Sequence, residues 1–233
     1  MTRTLADVAV EAADCTKCRL AEGRTQVVFG VGNADADVMF IGEAPGFHED
    51  KQGEPFVGAA GQLLTRMLDE VLSVARQDVY IANVIKCRPP GNRDPQEDEI
   101  ESCMPWLVEQ VSLIQPRVID TLGNFATKFV LQTAQGITRM RGRTYPWHGR
   151  TVVPTFHPAA ILRGGGESSR QFLEFRDDFE LVRETLVTLN PEPEPVTEAE
   201  AATSGAVAAA APTSDPVIVP EAEPAPEEQL ELF

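Results

Sequence analysis

The chain reads as an α/β protein built on a largely parallel sheet with helices on both faces. Two observations predict this: short apolar runs that end at glycine, asparagine or phenylalanine, and a segment with helical period after each of them. "DVMFIG" (Asp37–Gly42) is the first strand, and after a long loop "GQLLTRMLDEVL" follows, with Leu63, Leu64, Met67, Leu68, Val71 and Leu72 on one helical face. "DVYIANV" (Asp78–Val84) is the second strand, and Pro95–Ile114 is a helix with acids in its first turn. "RVIDTLG" (Arg117–Gly123) leads into the helical "NFATKFVL", and "RTVVPTF" (Arg150–Phe156) is the fourth strand. Glu167–Leu189 forms a closing helix and "TLADVAVEAAD" an opening one. "VFGVGNAD" lacks the third glycine and following helix of a dinucleotide-binding fingerprint, so it reads as a glycine turn ahead of the first strand.

Composition divides the 233 residues in two. Asn190–Phe233 holds ten acids, eight prolines and no lysine or arginine, too little apolar surface to offset the entropy of ordering it. It is expected to be a disordered acidic tail, leaving residues 1–189 as the folded domain. The net charge of −16 is then mostly the tail's: the body carries 26 acids against 20 bases. Local basic clusters in the body, Lys86, Arg88 and Arg93 among them, remain compatible with a polyanionic ligand. No signal-like opening or bilayer-length apolar run is present, so a cytoplasmic protein is expected, and in that reducing compartment the four cysteines read as thiolates rather than disulfides.

Ligands of open parallel sheets sit beyond the carboxyl ends of the strands. "GEAPG", "NVIKCRPP" and "FHPAAILR" all begin there. The first loop is dense for a connection, placing Glu43, Glu49 and Phe56 among several glycines. Cys15 and Cys18 form a C-x2-C pair, with Cys87 after the second strand and Cys103 on the following helix. Four thiolates suit either a structural zinc or a [4Fe–4S] cluster, and spacing does not separate the two.

"GEAPG", "GEPFVGAAGQLL", "NVIKCRPPGNRDP" and "HPAAILR", in this order and threaded with the cysteines, resemble the family 4 uracil-DNA glycosylases, the iron–sulfur branch of that superfamily. The likeness runs from Cys15 to Arg163. It implies a three-layer α/β/α sandwich around a four-stranded, mainly parallel sheet, a [4Fe–4S] cluster on Cys15, Cys18, Cys87 and Cys103, and hydrolysis of the N-glycosidic bond of deoxyuridine in DNA. It places Phe56 to stack on the extruded base, Asn83 to read its edge, and the backbone at Gly42 and Ala44 against it. It places His157 to donate to uracil O2 and Glu43 to handle the water, with Glu49 in reserve. An aspartate stands at the position of Ala44 in family 1 enzymes, so the general base is not assigned by that comparison.

Lys86, Arg88, Arg93 and Arg163 are candidate DNA contacts, and Ile161 or Leu162 a wedge for the gap left by the flipped nucleotide. The tail ends in "QLELF", whose Gln229, Leu230, Leu232 and Phe233 resemble a sliding-clamp-binding motif. Expected partners are uracil-containing DNA and such a clamp, and the chain is expected to be a monomer. The alternative reading is a non-catalytic DNA- or clamp-binding protein with a structural metal centre.

Overall fold

The structure, a computed structural model, describes residues 3–189. The acidic tail and its terminal Gln229, Leu230, Leu232 and Phe233 lie outside the described residues. Among the described residues no helix is long and apolar enough to cross a membrane.

A six-stranded sheet runs in the order β1-β3-β2-β4-β6-β5. Its centre is parallel: β3 (Tyr80–Asn83), β2 (Val38–Gly42), β4 (Val118–Leu122) and β6 (Arg150–Thr155). These are the four strands expected from the sequence. The expectation of four strands in all is corrected by two antiparallel edges, β1 (Val31–Gly32) on β3 and β5 (Tyr145–Trp147) on β6. Edge strands of two and three residues are too short to carry a period. The glycine turn at Val31–Gly32 is thus itself β1: a Cβ on Gly32, at φ +133°, would run into the Val79 carbonyl.

Alternate side chains of the central strands feed two cores, as expected of a parallel sheet covered on both sides. Met39, Ile41, Tyr80 and Ile119 pack with residues of α1 (Leu5–Ala13), α4 (Glu97–Ile114) and α5 (Asn124–Leu131). Val38, Phe40, Ile81 and Val118 pack with residues of α3 (Ala59–Met67) and α8 (Arg170–Leu189). Helix α1 starts on a capping box, Thr4 accepting from the Asp7 amide while Asp7 accepts from the Thr4 amide. Helix α3 widens into a π turn over Leu68–Leu72 and stops at Ser73 in the left-handed conformation.

One polar residue of the sheet interior stands out. Asp120 on β4 is fully buried, and neither carboxylate oxygen has a hydrogen-bond partner among the described residues. Burial, with the nearby Asp178 carboxylate adding, pushes its pKa well above the usual carboxylate range. Asp178 is better provided for, accepting from Arg141 at 2.9 Å and from the Thr155 hydroxyl at 2.8 Å.

Because folded Asp120 keeps a proton that the unfolded chain releases, stability falls as pH rises above the unfolded pKa, by about 1.4 kcal/mol per pH unit until the folded pKa is reached. Urea unfolding of wild type and Asp120→Asn is therefore expected to diverge from about pH 4 upward, the variant gaining relative to wild type. Parallel stability–pH curves would show that the carboxyl is ionised in the fold.

Candidate active site

The parallel strands end together, and the loops beyond those ends assemble the site. Gly42 closes β2 directly opposite Asn83, the last residue of β3. The chain then keeps this pairing for another step, Val84 N–H donating to the Gly42 carbonyl at 2.9 Å and Ile85 N–H to that of Glu43 at 3.2 Å. A Cβ on Gly42 would lie 2.6 Å from Phe56 Cζ and closer still to Asn83 Oδ1. The missing side chain is what lets an aromatic ring and an amide meet there.

Phe56 itself sits at φ +54°, in the left-handed region that costs a non-glycine residue energy and persists only when neighbours hold it. They do. Glu49, from α2 (Phe47–Gln52), accepts the amides of Val57 and Gly58 through one carboxylate oxygen at 3.1 and 3.3 Å. Arg76 donates to the Pro55 carbonyl at 2.6 Å, and Gly61 presses bare backbone against the Phe56 carbonyl. Glu49 is therefore first a staple for the Phe56 loop; its other oxygen faces Gly46.

His157 follows β6 and caps α7 (Pro158–Arg163). Its Nδ1 accepts from the Ala159 amide at 3.1 Å, which places the ring proton on Nε2. Burial, with the Arg163 cation adding, lowers its pKa to about 4 despite the opposing Glu49 carboxylate. The imidazole is thus a neutral N–H donor at ordinary pH. Its ring lies 5.5 Å from that of Phe56 with planes 28° apart. A third ring between them would need about twice the ~3.5 Å contact distance, so a planar ligand reaching Phe56 lies beside the imidazole rather than between the two.

Glu43, Ala44, Glu49, Phe56, Asn83 and His157 line one cleft of about 550 Å³, with Arg93 and Arg163 also on its wall. Asp94, which no sequence signal singles out, also reaches the cleft. The Glu43 carboxyl is half-buried, and its pKa is raised first by that burial and then by the Asp94 charge. A broader groove of about 790 Å³ behind Phe56 is lined by Gln62, Thr65, Arg66 and Arg76 and shares only Phe56 with the named candidates.

Two candidate DNA contacts are corrected. Lys86 is buried at 1% exposure and cannot reach a phosphate: its Nζ donates to the Asn83 carbonyl at 2.8 Å and to Gln110 Oε1 at 2.5 Å. Ile161 is fully buried in the second core and cannot act as a wedge, whereas Leu162 beside it is 43% exposed. Sequence adjacency hid both, since the face of a short loop or helix is not legible without its packing. Arg93 holds the buried Glu99 carboxylate with two hydrogen bonds, at 2.6 and 2.8 Å. Arg88 is partly exposed, its Nε donating to Asn92 Oδ1 at 2.7 Å, and Arg163 is exposed.

Cys15, Cys18, Cys87 and Cys103 line a single small cavity beside this loop. The Lys86 amide donates to Cys103 Sγ at 3.2 Å, and Arg24 Nη1 to Cys87 Sγ at 3.6 Å while also bonding the Cys15 carbonyl. Burial raises the Cys87 thiol to about 11 and that of Cys103 in the same direction. Such thiols ionise when a metal is bound, because its charge outweighs the desolvation cost. Among the described residues no three His, Cys, Asp or Glu side chains are gathered closely enough to hold a metal ion.

A parallel sheet with its cleft at the carboxyl edge is common to many enzymes, and comparison with known proteins makes the assignment definite. The family model described as the uracil DNA glycosylase superfamily matches residues 29–180, and the chain belongs to that superfamily. It is 46% identical over 193 residues to the type-4 uracil-DNA glycosylase of Sulfurisphaera tokodaii, covering 79% of this chain and 86% of that one. It is 47% identical over 167 residues to the type-4 enzyme of Archaeoglobus fulgidus, covering 68% and 83%. A type-5 uracil-DNA glycosylase of Pyrobaculum aerophilum is more distant, at 32% over 146 residues, covering 56% of this chain and 64% of that one.

Replacing Asp94 with asparagine removes the like charge facing Glu43. The Glu43 pKa, followed by carbon-detected NMR of its carboxyl, is expected to fall in Asp94→Asn yet stay above the usual glutamate value, since burial is the larger cause. In the same titration His157 is expected to stay neutral until about pH 4. An unchanged Glu43 titration would remove Asp94 from the site's electrostatics.

Proposed function

We propose that this protein is a uracil-DNA glycosylase that hydrolyses the N-glycosidic bond of deoxyuridine in DNA, releases uracil and leaves an abasic site for base excision repair. The observation that carries the reading is the convergence of Glu43, Phe56, Asn83 and His157 on one cleft.

A base inside a duplex is out of reach, and extruding it costs a few kcal/mol. The Phe56 face returns part of that through stacking. Asn83 can accept from uracil N3–H and donate to O4, a pattern that cytosine reverses. Lys86 fixes the Asn83 backbone from behind, through its carbonyl. The bare edge at Gly42, with Ala44 beyond it, admits the ring.

As the bond from C1′ to N1 breaks, its electron pair passes to the base and charge gathers on O2. A neutral His157 with its proton on Nε2 donates to that oxygen, a contribution of the order of 10²–10³ in rate for a single well-aimed donor. Water adds to C1′ and gives up a proton. Glu43 orients this water and offsets the positive charge on the sugar, and a carboxylate with a raised pKa takes up a proton more readily than an ordinary one. Glu49 remains in reserve for the water, and Asp94 is a third carboxylate on the cleft wall.

The four cysteines are read as the ligands of a [4Fe–4S] cluster. An all-thiol set around a cavity supports this, and such a cluster would clip the segment after α1 to the β3 loop and α4. The exposed Leu162 is read as the wedge.

The test is a labelled single-stranded oligonucleotide with one uracil, incubated with brown, cluster-loaded protein and then alkali. Wild type is expected to yield the cleaved strand, Glu43→Gln to lose roughly 10²–10⁴-fold, and Gly42→Ala roughly 10²-fold from displacement of Phe56 and Asn83. Uncut substrate with wild type, or full activity in Glu43→Gln, would overturn the assignment. A colourless zinc-containing protein would replace the cluster with zinc.

A further inference from the structure

The short helix α2 has its two faces sorted by charge. Its acids turn inward: Glu49 accepts the Val57 and Gly58 amides, and Asp50 is buried, accepting from the Thr25 amide at 2.9 Å and the Thr25 hydroxyl at 2.6 Å. Its other face carries Phe47 and, one turn on, Lys51, both exposed. Phe47 is the single aromatic among the large hydrophobic side chains exposed in the described residues, at 44%. It does not lie bare: Lys51 Nζ is 4.3 Å and Arg88 Cζ 5.0 Å from its ring centre, and the His48 ring meets it edge-on at 5.4 Å.

Arg88 comes from the loop after β3, across the mouth of the cleft. Its bond to Asn92 and the ring beneath it restrict where the guanidinium goes. Both segments meeting at Phe47 continue into the cleft wall, through Gly46 on one side and Pro89 and Asn92 on the other. The two distances to the ring centre cap the separation of the cations at 9.3 Å. Phosphates recur along a nucleic-acid strand at every nucleotide, and cations within this limit are close enough to meet neighbouring ones.

We propose that Phe47, Lys51 and Arg88 form a phosphate clamp that holds the backbone of the substrate strand beside the extruded nucleotide. This rests on the reading of the cleft as a uracil site. The ring is the organising part. Cation–π contact biases two long side chains toward one place and so lowers the ordering cost of binding. Of the three basic residues clustered in the sequence around this loop, Lys86 is buried and Arg93 is committed to Glu99, which leaves Arg88 to act outward with Lys51.

The experiment is fluorescence anisotropy with a fluorescein-labelled 20-residue single strand containing one uracil, read with the full-length Glu43→Gln protein, its cysteine centre intact, at several salt concentrations. Lys51→Ala and Arg88→Ala, added singly to that background, are each expected to weaken binding and to reduce the slope of log Kd against log salt by about 0.7, one phosphate contact on a single strand. Phe47→Ala, which removes no charge, is expected to weaken binding several-fold and to flatten the slope as well, with Phe47→Trp restoring both. Arg183→Ala, on the exposed surface of α8, serves as the control with no change.

Weaker binding by Phe47→Ala at an unchanged salt slope would mean that the ring stacks on a base, and would overturn the clamp. Affinity and slope unchanged in Phe47→Ala, or a slope unchanged in both cation variants, would overturn it as well. Binding is read apart from base release, so loss of the clamp with wild-type cleavage intact, or the reverse, tells failure of this inference from failure of the glycosylase assignment.

Discussion

At the end of β2 an amide and an aromatic ring crowd the space a side chain would fill. Any Cβ on Gly42 would sit against Asn83 Oδ1 and within 2.6 Å of the Phe56 ring. The backbones of both neighbours are held in place. Asn83 is fixed by strand register and by Lys86 on its carbonyl, and Phe56 is held in a left-handed conformation by the loop around it. Glycine there is the condition under which an amide and an aromatic ring meet at the strand end, with the His157 imidazole stacked beside that ring. Gly123 plays a similar part on the other side, where a Cβ would lie 2.9 Å from His157 Cβ.

The polar groups near the cleft show how burial decides what a charge can do. Lys86 has the composition of a DNA contact but the environment of a core residue: burial lowers its pKa to about 8 while two oxygens hold its ammonium. Its amide also donates to Cys103 Sγ. One residue thus joins the cysteine cluster to the strand end that carries Asn83. Exposed Lys51 and half-exposed Arg88 occupy the opposite regime, where a cation keeps its hydration and remains available to a phosphate.

Much of this was legible in the sequence. The four central strands are continuous apolar runs because both sheet faces are covered, and their ends announce the loops that build the cleft. Glu43, Phe56, Asn83 and His157 were all readable from motifs at or just beyond those ends. What the sequence could not disclose was direction. Ile161 and Leu162 are adjacent and equally apolar, yet one is core and one faces outward. Lys86, Arg88 and Arg93 look alike as a basic cluster, and only packing separates a buried ammonium from an ion-paired guanidinium and a partly exposed one. Phe47 carried no periodic or motif signal of its own, and Asp94 sat inside a motif with nothing to mark it out from its neighbours; what each touches comes from the groups that approach it in space. The edge strands were missed because two or three residues are too few to show alternation.

The most direct test of the account is whether Asn83 reads the base edge. Nitrogen-15 NMR of its side-chain amide during titration with free uracil, and separately with cytosine, addresses this without turnover. The account predicts that uracil shifts the Asn83 amide together with Phe56 ring signals, while cytosine at equal concentration leaves the amide in place. Equal responses to both bases, or none to uracil, would contradict it.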